Sequence, residues 1–321
     1  MSFEDTEKQL GEFSNFIKIG WDAAAGIEVL DKVTSIVVCG MGGSGVPGDI
    51  LQDYLQIDLP IFVVKGYTLP KHLDKDALVF ILSYSGNTEE TLACFRSGLG
   101  KGCRMVGITA GGQLQELCEK NKTPLAILPK GIQPRAAIPL LFFPILRVLH
   151  NSKLIEDQEA FVQKTIETLS RDVYAAMGKA LAEKLKDKIP IIYASEEHKA
   201  IAYRWKTQLN ENAKIMAFSN AFSELNHNEI VGFEHRIGEY YVIMLQDEDD
   251  NLRIKKRMKI TKELIKEKGV SSTVVVIKGT CKLSKLLSAI HIGDWVSAYL
   301  AQLYGIDPTP VEIIEKLKKL L

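Results

Sequence analysis

Two stretches carry residue types suited to binding a small anion: CGMGGSGVPGD at 39–49 and LSYSGNTEET at 82–91. Gly42, Gly43 and Gly45 let a backbone come close to a ligand, and Ser44 adds a hydroxyl. The second stretch offers Ser83, Ser85 and Thr88 within six residues. A helix starting near Thr88–Glu89–Glu90 would add unpaired N–H groups that favour an anion. Hydroxyls plus amides, without a loop lysine, suit a single phosphomonoester. No GxxxxGK[ST] is present, which disfavours a P-loop for a magnesium nucleotide. Gly40, Gly42 and Gly45 give GxGxxG spacing only when read loosely. VVKGY lacks the acidic residue that a dinucleotide fold places about 20 positions on. A single such loop could equally be a tight turn with serine as a cap; two at neighbouring strands point to a site.

Both loops follow apolar runs, and the runs continue along the chain. IVVC (36–39), IFVV (61–64), LVFIL (78–82), MVGIT (105–109) and LAIL (125–128) alternate with amphipathic segments of helix length. Continuous apolar strands alternating with helices predict an α/β fold with a mainly parallel sheet covered on both faces. In such a sheet, ligands sit beyond the carboxyl ends of the strands, where both loops fall. The Phe3/Leu10/Phe13/Phe16/Ile17 stripe predicts helix over 1–30, and 136–187 also reads as mainly helical. Strands then return at 189–194, 213–219, 239–245 and 272–279, repeating the order and spacing of the first half with little residue identity. A helix over 282–304 and a last helix after GIDPTP complete the chain. The expected organisation is an N-terminal helical segment (1–35), a first subdomain with the loops (36–150), a helical connection (151–188) and a second subdomain (189–321).

Composition narrows the partners. The 321 residues allow about two domains, and Lys+Arg and Asp+Glu balance at 40 each, which argues against nucleic acid. No apolar run reaches 18 residues and the N-terminus is polar, so neither a membrane span nor a signal peptide is expected. Five scattered cysteines without CxxC suggest a reduced, cytoplasmic chain. There is no HExxH and no His/Cys pair at ligand spacing, so no metal or other cofactor is expected.

GMGGSG followed by SYSGNTEET resembles the sugar isomerase (SIS) domain, a doubly wound α/β module for phosphosugars. PRAA (134–137), AYRWKTQLNENAK (202–214) and SELNHNEIVGFE (223–234) extend the resemblance to the bifunctional phosphoglucose/phosphomannose isomerases. It covers the chain from about residue 35 onward. SGNTEET marks the domain type, while LNENAK with NHNE is more specific to the isomerases. The resemblance implies two SIS subdomains, of which only the first keeps phosphate loops, since YASEEHK in the second has no glycine. It also implies a homodimer with active sites at the subunit contact.

Interconverting glucose or mannose 6-phosphate with fructose 6-phosphate needs ring opening, a base moving a proton between C2 and C1, and stabilisation of an enediolate. The resemblance gives the proton transfer to Glu211, a carboxylate that would otherwise read as a surface residue ending a helix. It gives ring opening to His227, reaching the substrate from the neighbouring subunit; His235 does not match the motif position. Arg135, at a helix start, would stabilise the enediolate oxygens. A lysine of the last helix assists ring opening in the family: alignment from Asp307–Pro308 gives Lys318, and from Thr309–Pro310 gives Lys316. Thr309, with the same ambiguity, matches a threonine tied to accepting the mannose epimer. His291 reads as structural, and His72, His150 and His198 join no pattern. The alternatives are a SIS-fold regulator that senses a phosphosugar without chemistry, and an isomerase for another sugar phosphate. The chain shows neither a helix-turn-helix nor a glutamine-amidotransferase half.

Overall fold

A computed structural model describes residues 3–320. In chain order the elements are α1 (Phe3–Gly11), α2 (Phe13–Asp22), β1 (Ile36–Cys39), α3 (Val46–Tyr54), β2 (Ile61–Val64), β3 (Leu78–Leu82) and α4 (Glu89–Lys101). Then come β4 (Arg104–Thr109), α5 (Gly112–Asn121), β5 (Leu125–Ile127), α6 (Ile138–Asn151), α7 (Glu159–Leu169) and α8 (Tyr174–Leu185). The remainder is β6 (Ile189–Ser195), α9 (Lys199–Glu211), β7 (Phe218–Phe222), β8 (Tyr240–Asp247), α10 (Leu252–Glu267), β9 (Ser271–Ile277), α11 (Lys282–Leu303) and α12 (Glu312–Leu320). The chain divides into two compact units: one is Glu12–Glu167, the other combines Met1–Gly11 with Thr168–Leu321. The N-terminal segment and the helical connection expected from sequence are therefore each shared between units.

The first unit holds a five-stranded parallel sheet in the order β2-β1-β3-β4-β5. Every residue of β1 and β3 is buried, the physical outcome of strands covered on both faces. One covering layer packs Cys39, Val79 and Ile81 against Leu92, Phe95 and Leu114. The apolar helix α6 packs against α2 and α3.

The second unit repeats this plan in a four-stranded parallel sheet, β7-β6-β8-β9. Numbered from its own first strand, the order 2-1-3-4 is that of the first four strands of the first sheet, so the architectural repeat read from the sequence is present.

Two local expectations differ. Helix at the N-terminus ends at Asp22, and Ala23–Gly26 form turns. The strand expected over 213–219 begins only at Phe218. Lys214 takes a left-handed φ of 57°, and the Ile215 carbonyl accepts from the Asn210 side-chain amide at 2.8 Å. Lys214 and Ile215 serve the end of α9, and pairing with β6 starts only at Phe218.

Candidate active site

In the first unit the chain leaves β1 toward β2 and leaves β3 toward β4, on opposite sides. Strand order reverses between β1 and β3, which opens a crevice beyond their carboxyl ends. Both loops stand there. The first becomes a 3-10 turn, Gly42–Ser44, with Gly42 at φ 50°. A Cβ on Gly43 would lie 3.1 Å from the Pro134 carbonyl oxygen, so this loop packs against the backbone that carries Arg135. Arg135 is 7% exposed and sits in a turn three residues before α6.

The second loop is joined to the first by one hydrogen bond: Tyr84 N–H donates to Ser44 Oγ at 3.3 Å. The Tyr84 hydroxyl donates to the Pro129 carbonyl at 2.7 Å and accepts from Ile132 N–H at 3.0 Å. Burial pushes its phenol up, partly offset by the Ile132 bond, which keeps it a donor at neutral pH. Tyr84 thus ties both loops to the strand-to-helix segment leading to Arg135. Sequence reading passed over this residue, whose role depends on partners 40 to 48 positions away.

Ser83 Oγ lies 2.9 Å from Thr88 Oγ1 and accepts from Gly86 N–H at 3.1 Å, and Ser85 Oγ accepts from Asn87 N–H at 3.3 Å. Thr88 is the N-cap of α4 but makes no side-chain capping bond. Its hydroxyl is turned to Ser83, which leaves the helix N–H groups for another acceptor. Gly86 has φ 74°, and a Cβ there would fall 1.7 Å from the Gly111 carbonyl oxygen, so no side chain fits. Gly42, Gly43, Ser44, Ser83, Ser85, Thr88 and Arg135 all belong to this one unit.

Glu211, His227 and Lys318 belong to the other unit. Glu211 is the last residue of α9, whose preceding turns are held by a polar ladder at positions i, i+4 and i+8. Arg204 Nη2 and Gln208 Nε2 donate to Asp294 Oδ1 at 3.1 and 2.8 Å, and Asn212 Nδ2 donates to Ser297 Oγ at 2.8 Å. Between them, Trp205 Nε1 donates to the Ala289 carbonyl at 2.8 Å, and its indole fills the space left by Gly293. The regular spacing of Arg204, Gln208 and Asn212 was a readable signal for one buried polar helix face.

Glu211 lines a cavity of about 480 Å³ with Asn210, Lys214, Ile306, Asp307 and Pro310. His227 is exposed at the end of a 3-10 turn, Glu224–His227, and Lys318 is exposed on α12. Neither lines the Glu211 cavity, nor does Thr309.

His198 does join a constellation, contrary to the sequence reading. Its Nδ1 is 2.8 Å from Ser195 Oγ and 3.5 Å from Asp250 Oδ1, and its Nε2 is 3.4 Å from Asp247 Oδ2. Lys285 Nζ bonds Asp247 Oδ1 and Asp249 Oδ2 at 2.7 and 2.6 Å. Burial alone would push His198 down, but Asp247 and Asp250 raise it from 6.5 to about 9. These groups stand at the carboxyl ends of β6 and β8, where the first sheet has its Gly/Ser-rich loops, so opposite charges of the chain itself occupy the corresponding crevice. Its signal was positional: YASEEHK follows the strand matching the one before GMGGSG. His291 is buried in α11 beside Trp295 and Tyr174, and burial lowers it to about 3, consistent with a neutral packing residue.

Among the described residues no group of three or more His, Cys, Asp or Glu side chains is placed to hold a metal ion, and no helix is long and apolar enough to cross a membrane.

Two parallel sheets of the same order, with a hydroxyl and amide cradle at one switch point, define a SIS-domain protein of the phosphosugar class. Residues 175–321 match the family model described as the bacterial phospho-glucose isomerase C-terminal SIS domain. The chain belongs to the bifunctional phosphoglucose/phosphomannose isomerase family. A relative of that name from Caldicellulosiruptor bescii is 39% identical over 99% of this chain and 98% of its own length. One from Aquifex aeolicus is 38% identical over 90% and 91%. A D-glucosamine-6-phosphate 4-epimerase from Sulfolobus acidocaldarius is 33% identical over 68% of this chain and 69% of its own. Among solved structures, the C-terminal domain of glucosamine-fructose-6-phosphate aminotransferase from Francisella tularensis superposes with a TM-score of 0.76 at 15% identity, covering 95% and 98%. That likeness is one of fold.

Proposed function

We propose that this chain is an aldose–ketose isomerase interconverting glucose 6-phosphate and mannose 6-phosphate with fructose 6-phosphate. The observation that carries the reading is the 39% identity, over nearly the whole chain, to a bifunctional phosphoglucose/phosphomannose isomerase. The joined loops give it a physical basis: they offer hydroxyls and amides to a phosphate and leave the sugar's reacting end to other residues.

In this reading Ser44, Ser83, Ser85, Thr88 and the Gly42–Gly43 backbone hold the phosphate. His227, with Lys318 or Lys316, moves a proton from the anomeric hydroxyl and delivers one to the ring oxygen, opening the ring. Glu211 takes the proton from C2 of the aldose, leaving a cis-enediolate; it then delivers a proton to C1 while the O2 hydroxyl proton passes to O1, which leaves the ketone at C2. Arg135 offsets the charge on the enediolate oxygens. No metal takes part. The protein works in the cytoplasm as a homodimer in which His227 of one copy serves the substrate of the other. An exposed His227 fits that arrangement, as do the exposed apolar side chains of Met216, Phe218, Val231 and Ile237 on the same stretch of chain.

The test is NMR of fructose 6-phosphate in D2O with purified protein, with and without EDTA. Glucose and mannose 6-phosphates are expected in both, with deuterium at C2 to the extent that the proton held by Glu211 exchanges with solvent, and the absence of both products from a folded protein overturns the reading. The 4-epimerase relative favours a second reading, action on an amino-sugar phosphate, which glucosamine 6-phosphate in the same assay distinguishes.

A further inference from the structure

The Lys214 ammonium has three N–H donors and three backbone carbonyls around it. It donates to Glu211 O at 2.6 Å, Pro308 O at 3.2 Å and Pro310 O at 2.6 Å. The Glu211 carbonyl is at the end of α9, among the last four that no intrahelical N–H can satisfy and where the helix dipole favours a cation. Pro308 and Pro310 lie in the irregular segment between α11 and α12, and neither has an N–H of its own. Their carbonyls are the only backbone hydrogen-bonding groups these two residues have for fixing this segment. Between them Thr309 N–H donates to Asp307 Oδ1 at 2.8 Å, so the threonine is held inside the same turn. The left-handed backbone of Lys214, φ 57°, follows directly on the helix it clamps. Glu211, Lys214, Asp307 and Pro310 are all walls of the 480 Å³ cavity, so this ammonium ties one wall to the other.

We propose that Lys214 is a positioning residue: it sets the distance between the end of α9 that carries Glu211 and the 307–310 turn that carries Thr309. It touches no substrate in this role and acts through the geometry of those two groups. The inference rests on Glu211 being the proton-transferring base and, for the choice of epimer, on Thr309 having the role that the family resemblance gives it. Its consequence is specific to the chemical step and to the choice of epimer. A shift of the carboxylate relative to C1 and C2 slows proton transfer, and a shift of Thr309 changes the tolerance for mannose relative to glucose. Phosphate binding, made by other loops, is untouched.

The experiment measures kcat and KM of the full-length protein with glucose 6-phosphate and with mannose 6-phosphate, for wild type, Lys214→Met, Lys214→Arg and Glu211→Gln. For Lys214→Met, kcat is expected to fall about 10- to 100-fold, the cost of misplacing a reacting group by about an ångström. KM should stay within about 3-fold, and the mannose-to-glucose ratio of kcat should change by more than about 3-fold. Lys214→Arg, which keeps charge and donors, should recover part of the rate. If Lys214→Met does not fold, Lys214→Gln is read in its place. An inactive Glu211→Gln with a Lys214→Met whose kcat and epimer ratio equal wild type overturns the clamp alone. A Glu211→Gln that turns over normally overturns the base assignment and the clamp with it.

Discussion

Arg204 Nη2 donates to Asp294 Oδ1 at 3.1 Å, and each side chain is 1% exposed. Gln208 shares the same carboxylate oxygen, so α9 and α11 are joined by a polar core. Burial raises the pKa of Asp294, and Arg204 and Gln208 oppose that rise. Removing one partner leaves the other charge buried without compensation, which costs about 3–5 kcal/mol. Arg204→Met is therefore expected to lower the urea midpoint sharply, and Arg204→Met/Asp294→Leu to recover part of the loss. Equal midpoints for the single and double variants would show that the pair is not coupled.

Ser85→Ala tests the proposed phosphate cradle, because among the described residues the Ser85 hydroxyl serves only a local turn bond to Asn87 N–H. A hydrogen bond to a charged group contributes about 1.5–3 kcal/mol, so KM for fructose 6-phosphate is expected to rise about 10-fold or more. The thermal midpoint should be unchanged. Steady-state kinetics at saturating substrate check that kcat falls far less than KM rises.

Mixing two inactive variants tests whether the site is shared between copies. Glu211→Gln and Arg135→Ala proteins should each be inactive, as should His227→Ala. Refolded together, Glu211→Gln and His227→Ala form hybrid dimers with one intact site, giving about a quarter of the wild-type sites in a random mixture. No recovery on mixing would place both residues in one subunit's site.

The His198 network sets a pH window for stability. His198 holds its proton to about 9 in the folded chain against 6.5 ordinarily. Its contribution is full below about pH 6.5 and is lost as pH rises through 9. Asp247 and Asp250 are held below the ordinary 3.8, since His198, with Lys285 at Asp247 and Ser195 at Asp250, outweighs their burial. Their contribution is present above about pH 4 and fades on acidification. Urea unfolding at pH 6 and pH 9.5 should show wild type losing a few kcal/mol between the two, as a group moved by this much implies. His198→Gln should be less stable at pH 6 and much flatter with pH. Parallel pH curves would remove His198 from the account.

The parallel α/β fold was legible because strands buried on both faces must be continuously apolar, and β1 and β3 are. The repeat was legible from spacing alone, and the placing of both loops at one end of the sheet from glycine and hydroxyl density at two strand ends. The roles of Glu211, His227 and Arg135 came from motif resemblance; their positions by themselves suggest surface residues. The start of β7 was misread because Ile215 is apolar but its carbonyl is engaged by Asn210 of α9, a competition invisible in hydropathy.

What the amino-acid order determines here is local: which runs are buried, which turns need glycine, which hydroxyls sit at a helix start. Tertiary structure decided which distant groups share a charge or a donor. Tyr84 meets Ser44 because β1 and β3 are neighbours in the sheet. Lys214 finds Pro308 and Pro310 across more than 90 residues of chain. His198 and Asp247 meet because β6 and β8 pair, and there the same topology that opens a crevice in the first sheet brings opposite charges together in the second. Hydrogen bonds and ion pairs act over a few ångströms, so they follow contacts in space, which sequence spacing does not reveal until the strand order is known.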